Sequence, residues 1–432
     1  MTTPFLPKRQ AIVVFIAFAF AYFLSTLIRA ITATLSPTLT IELGLQASDL
    51  GLLAGGYFLG FAAMQLPMGK WLDAYGPKRV ILSLLPIALL GSVAFALSEN
   101  FYGLLLARIF TGIGVSACLM APLTGYRRWL KPDQQQRANA WMLMTGSFGM
   151  IAATLPIQWM MPMIGWRGVF VVFSLLVLIA IVALFLISPS WDLANSNSPV
   201  AKIVAAIPSN PSDTGYSQVW SHPYFRSLIP IGFLAYGGLI ALQTLWVTPW
   251  MIKVAGYSPA QAASGLFGIN LTMLFTFWLW GAVNPWLVKH AIHADILLLR
   301  GFPISFAVLA IIIIASQATN TTPTSQIVHL SLRLHEHAWG LWALYFVSCS
   351  FVAQTQPAIA LVFPAELAGR ALSAFNLVMF LGVFVMQWGV GLLIDVFKHF
   401  GRTEVQAFQG ALAVYLACVI ASYVYFAAKR PT

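Results

Sequence analysis

The chain has 432 residues, 59% of them hydrophobic and only 8% charged, with 23 Lys and Arg against 12 Asp and Glu for a formal net charge of +11. A soluble globular domain carries about a quarter charged residues, so this composition excludes one and makes a lipid bilayer the solvent. The basic excess is spread over short loops between apolar runs, which excludes nucleic acid as a partner.

Apolar runs of about twenty residues, the length that crosses hydrocarbon, recur near residues 11–35, 48–68, 80–98, 101–123, 138–161 and 167–187. A second set of six follows near 227–252, 259–283, 296–316, 338–362, 371–396 and 405–427. Backbone groups in lipid must be satisfied within the segment, so these runs predict twelve transmembrane helices, and the alternating pattern of a β-barrel is missing. Pro37 is expected to end the first span. Between the sets, Ser, Asn, Pro and Gly break the pattern, as in Asn195-Ser196-Asn197-Ser198-Pro199. The expected organisation is therefore a six-helix half over 1–187, a linker over 188–226 and a second six-helix half over 227–432.

Taking every second connection from the amino terminus, sixteen Lys and Arg fall on the face that holds both termini and five on the other; the remaining two of the 23 lie inside spans. The asymmetry predicts cytoplasmic termini. The first run is long enough to span and leads into further spans without a small-residue cleavage site, so it reads as a retained signal anchor. Cys118, Cys349 and Cys418 sit in apolar spans at unrelated positions and read as packing residues, with neither a disulfide nor a metal site implied.

After the second span the chain reads Gly69-Lys70-Trp71-Leu72-Asp73-Ala74-Tyr75-Gly76-Pro77-Lys78-Arg79. This resembles the signature loop of the major facilitator superfamily, with Gly69, Asp73, Gly76, Lys78 and Arg79 in register and only Ala74 departing, where the family carries a basic residue. Arg108-Ile109-Phe110-Thr111-Gly112-Ile113-Gly114 and Gly165-Trp166-Arg167-Gly168 look like further marks of the family. The resemblance implies an all-α fold of two six-helix halves, a monomeric secondary transporter of the bacterial inner membrane, and a small-molecule substrate bound between the halves. It also implies that Asp73 latches one conformation by meeting the start of the eleventh span near Arg370. Lys78 and Arg79 are expected to face anionic headgroups.

Two arginines lie inside the apolar runs. Arg29 precedes Pro37 by eight residues, or roughly 12 Å at 1.5 Å per residue, and Arg108 follows Phe101 by seven, or roughly 10 Å. They are expected at similar depth. A buried arginine costs at least about 2.5 kcal/mol on insertion, so function is the default reading. In the family the first, fourth, seventh and tenth spans line the cavity, so both side chains could meet one anionic group. The segment from Tyr22 to Arg29, followed by Pro37, resembles the first span of organic-anion and organophosphate members. The seventh span, Ala241-Leu242-Gln243-Thr244-Leu245-Trp246, lacks the second arginine of the organophosphate carriers, which favours a carboxylate or sulfonate over a phosphate ester. For Arg108 the competing reading is a brace for the fourth span.

No Asp or Glu falls at the centre of a span, so no embedded proton carrier is visible. Protons or a counter-anion are the expected coupling partners. Tyr236, Gln243, Trp246, Ser348, Gln354 and Gln356 are the remaining cavity candidates, able to hydrogen-bond or shield a ligand, while interhelical bonding explains such residues equally well. His329, His335, Glu336 and His337 form a weak metal signal in one loop. No phosphate-binding loop, nucleophile elbow or zinc pair appears, so neither a cofactor nor an enzyme activity is expected. The alternative function is efflux of neutral or anionic amphipathic compounds.

Overall fold

The computed structural model describes residues 5–189, 214–290, 292–317 and 337–430, and every element among them is helical. The first set comprises α1 (Lys8–Leu43), α2 (Ala47–Ala63), α3 (Gln65–Leu97), α4 (Phe101–Trp129), α5 (Pro132–Ala152) and α6 (Leu155–Ile187). A short helix, α7 (Thr214–Ser221), precedes α8 (Pro223–Lys253), α9 (Pro259–Lys289), α10 (Ala294–Ser316), α11 (Ala338–Val362), α12 (Ala365–His399) and α13 (Glu404–Lys429). Among the described residues ten helices are long and apolar enough to cross a membrane, while α2, of 17 residues, is a shorter apolar helix.

The outer surface is what lipid demands. On α6, Leu175, Ile179, Val182 and Leu186 are all exposed, a spacing of three to four residues that turns one helical face outward. The interior carries the polar groups instead. Ser25, Thr26, Thr32, Thr34 and Ser36 of α1 are all buried, and Thr34 Oγ1 donates to the Ala153 carbonyl at 2.7 Å, where α5 gives way to α6.

Pro37 does not end the first helix. It has no N–H to donate to the Ala33 carbonyl four residues back, and the Ser36 hydroxyl donates to that oxygen instead, at 2.8 Å. With the orphaned acceptor satisfied, α1 runs on to Leu43 and stops at Gly44, whose φ of 62° is left-handed. The added turn carries Glu42, which accepts from Trp166 Nε1 at 2.6 Å and pairs with Arg167, tying α1 to α6 just past its break at Gly165. Ser36→Ala is expected to cost about 1 kcal/mol, in the range of interhelical bonds in membrane proteins. The fall should appear in the thermal unfolding midpoint in detergent and be absent in Ser36→Thr. An unchanged midpoint would mean that the Ala33 carbonyl finds another donor.

Part of the expected linker is helical. In α7 Val219 is fully buried, and Tyr216 Oη donates to the Leu66 carbonyl of α3 at 3.4 Å. The two sets of helices meet chiefly along α12, which runs antiparallel to α2 and the start of α3: Gly391 faces Ala47, Gln387 faces Gly51, Phe384 faces Gly55 and Ser373 faces Gly69. At the end opposite the termini this contact is backbone to backbone, and a Cβ on Gly51 or Gly391 would be driven into a carbonyl oxygen across the seam. Towards the end that holds the termini it loosens, and a Cβ on Gly69 would meet only the Ser373 hydroxyl, at 3.8 Å.

Candidate functional site

Arg29 belongs to the long uninterrupted stretch of α1, 14 residues from its end at Leu43, or about 21 Å by the helical rise. Its guanidinium carbon stands 5.4 Å from the ring centre of Phe61 on α2 and 5.6 Å from that of Phe380 on α12. Those two rings touch each other edge to face, 4.5 Å apart. Tyr57 of α2, Tyr22 and Tyr236 are its electrostatic neighbours, and among the described residues none of the groups acting on it is an Asp or Glu. Arg29 is thus a cation among five aromatic residues drawn from both sets of helices, with no acidic partner among the described residues. Protein surrounds it, yet part of its surface stays accessible and its Nε has no partner.

Arg108 lies close by in a different setting. Its side chain is fully buried at 0% exposure, Nη1 donates to the Ile28 carbonyl at 2.9 Å, and its carbon stands 5.3 Å from the Tyr57 ring. Nε and Nη2 have no partner. Tyr57 therefore neighbours both cations, with its ring facing Arg108, and it is held by donating its hydroxyl to the Ser25 carbonyl at 3.1 Å. Both arginines thus neighbour Tyr57, although Arg29 lies 14 residues from the end of α1 and Arg108 seven from the start of α4.

Of the candidates on α8, Tyr236 joins Arg29, and its helix opens there into a wide π-helical turn over Ile231–Tyr236. Such turns are rare and often accompany functional positions. Gln243, on a second wide turn over Leu242–Trp246, donates to Asn270 Oδ1 of α9 at 2.8 Å. Trp246 is buried; its Nε1 donates to the Gln387 carbonyl at 3.0 Å and its ring packs on Phe408. On α11, Ser348 returns its hydroxyl to the Tyr345 carbonyl, and Gln356 donates to Asn376 Oδ1 at 3.0 Å. Gln354 is half-buried in the tight turn Ser350–Gln354, and its side chain makes no hydrogen bond among the described residues. The structure thus gathers Arg29, Arg108 and Tyr236, and gives Gln243, Trp246 and Gln356 protein partners. Sequence reasoning passed over Tyr22, Tyr57, Phe61 and Phe380. Helical spacing held a signal for some of them, since Tyr22 is seven residues before Arg29 and Tyr57 four before Phe61, each pair on one face.

In the signature loop Gly76 has a φ of 75° and Asp73 is exposed, with Arg127, Arg128 and Arg370 as its cationic neighbours. Arg370 is exposed and its guanidinium abuts Gly215 of α7. Arg79 is exposed, but Lys78 does not point to headgroups: Nζ donates to the Ser188 carbonyl at 2.8 Å, closing the carboxyl end of α6, and stands 5.7 Å from the Phe185 ring. The reason is local, because the reversal at Gly76 restarts α3 beside the last turn of α6, whose carbonyls lack donors. His329, His335 and Glu336 lie outside the described residues. Cys118 and Cys349 are buried and Cys418 partly so, and all three are free.

An all-helical body that closes around a central cation is the architecture of a membrane transporter. The family model of the Major Facilitator Superfamily matches residues 18–431, and the chain belongs to that superfamily. It is 24% identical over 281 residues to the gallate transporter of Pseudomonas putida, a match covering 59% of this chain and 62% of that protein. It is 24% identical over 278 residues to a protein of Escherichia coli (strain K12) named as a probable L-galactonate transporter, covering 64% of this chain and 54% of that one. The aligned region thus spans less than two thirds of either relative. In fold it resembles a bacterial homologue of the human lysosomal transporter Spinster, solved inward-facing and unoccupied, with a TM-score of 0.74, 15% identity and 98% coverage of both chains.

Proposed function

We propose that this protein is a secondary transporter that carries a small organic anion of the carboxylate or sulfonate type by alternating access, with Arg29 holding the anionic group. The observation that carries this reading is the state of Arg29: a partly accessible arginine within the protein, with no acidic neighbour among the described residues and with aromatic residues of both sets of helices around it. A cation so placed favours an anionic ligand strongly, because the low dielectric of the interior strengthens their attraction. The rings supply an apolar enclosure for the organic body of the ligand. Gallate and galactonate, the cargoes named for the two relatives, are both carboxylates, which agrees with this chemistry.

In the same reading twelve spans cross a bacterial inner membrane with both termini cytoplasmic, as halves 1–187 and 227–432 joined by 188–226, and the carrier works as a monomer. Coupling runs to protons or to exchange with a counter-anion. The test is uptake into proteoliposomes across a panel of carboxylates, sulfonates, nitrate, phosphate esters and cationic and neutral amphiphiles. Saturable uptake of a carboxylate or sulfonate, competed by its congeners and not by cations, is expected. Transport confined to neutral or cationic amphiphiles would replace this reading with efflux.

A further inference from the structure

The antiparallel seam between α2 and α12 brings the carboxyl-terminal part of one helix to the start of the other at the end opposite the termini. There Asp395, near the end of α12, accepts from the backbone N–H of Ala47 at 3.2 Å and of Ser48 at 2.7 Å. These are the first residues of α2, whose own Asp49 is occupied with the Gln46 N–H at 3.0 Å. The first N–H groups of a helix have no partner within it and carry its positive dipole, so a carboxylate bonded to two of them makes charge-assisted contacts. Asp395 pairs with no Lys or Arg among the described residues, so its bonding across the seam is to this helix start. The contact also sits where the backbones approach most closely, beside Gly391 and Gly51.

We propose that Asp395 is a conformational latch of the transport cycle: bonded to the start of α2 it holds the two sets of helices shut at the end opposite the termini, and its release opens that end. Alternating access requires this end to separate in the other state, and no rearrangement within either helix set can keep both bonds once α2 and α12 part there. Asp73 is its counterpart on the same helix pair. It sits at the other end of the seam, on the α3 side facing the start of α12, and in this conformation it is exposed and makes no hydrogen bond or ion pair among the described residues. One carboxylate is engaged where the seam is tight and the other is free where it is loose. The pair therefore alternates.

The test reads opening without a substrate, so it stands apart from the anion-transport reading. Thr248 is buried in the last part of α8, which packs on α1 near the same end. Thr248→Cys is labelled in proteoliposomes with a membrane-impermeant maleimide, the parent chain serving as the blank. Adding Asp395→Asn is expected to raise the labelling rate about tenfold, as a shift of population towards the state open at that end. Ala47→Pro checks the other side of the bond. It deletes one N–H donor at the first position of a helix, where proline fits, and Gln46 already has the extended backbone that a following proline requires. It is expected to raise labelling in the same direction, and the combination with Asp395→Asn should add less than the sum of the two. Unchanged labelling in Asp395→Asn overturns the latch, and so do fully additive effects, which would mean that the two groups act independently.

Discussion

Arg29→Ala is expected to lower anion uptake roughly 10- to 150-fold, the equivalent of losing one hydrogen bond to a charged group at about 1.5–3 kcal/mol. Arg29→Lys should recover little of it. The guanidinium is planar and faces a pair of phenyl rings that pack against each other, a setting in which a lysine ammonium neither stacks in the same way nor presents a fork to a carboxylate. Stability should move the other way. Arg29 has no acidic partner to lose, so removing its charge while keeping its volume relieves a desolvation cost, and the thermal midpoint of Arg29→Met should not fall. A variant that melts at or above the parent temperature and fails to transport identifies a binding residue. Full activity in Arg29→Lys would mean that a point charge suffices, and full activity in Arg29→Ala would place the anion elsewhere.

The spans were legible because lipid imposes apolar runs of fixed length, and the arginines because a charge inside such a run is conspicuous. The end of α1 was not, since a proline ordinarily stops a helix and only the Ser36 hydroxyl, aimed at the Ala33 carbonyl, lets it continue. The polar residues of α8 show the main limit. Gln243 and Trp246 announce by their chemistry that each needs a partner, and the sequence does not say whether that partner is a ligand or the protein; here Asn270 and the Gln387 carbonyl take the bonds. The aromatic box was hidden for another reason. With 14% aromatic residues in the chain, a Phe or Tyr in a span carries no information until the packing of α1, α2, α8 and α12 chooses which five surround Arg29. The bond from Asp395 to Ala47 joins residues 348 positions apart, and no local pattern marks it.

Arg108 should respond to substitution differently from Arg29. Its side chain is fully buried and braces α4 to α1 through one bond, Nη1 to the Ile28 carbonyl. Arg108→Ala leaves a cavity and breaks the brace, for an expected loss of about 3 kcal/mol, comparable to large-to-small changes in packed cores. Two further variants separate volume from charge. Arg108→Lys keeps a donor for the Ile28 carbonyl and should hold both the thermal midpoint and uptake near the parent, within about threefold, because the other guanidinium nitrogens make no bond that a lysine would lose. Arg108→Met fills the space without a charge and should melt no lower than the parent, since replacing a buried charge by an apolar side chain of similar volume is often neutral or stabilising. Uptake in Arg108→Met then decides the role. Retained transport makes the residue a brace; a folded protein with the parent midpoint and lost uptake makes it a second cation acting on the anion. The geometry favours the brace, because the bonded nitrogen of Arg108 is directed at the backbone of α1 at Ile28, one residue before Arg29, while of the two arginines only Arg29 keeps part of its surface accessible.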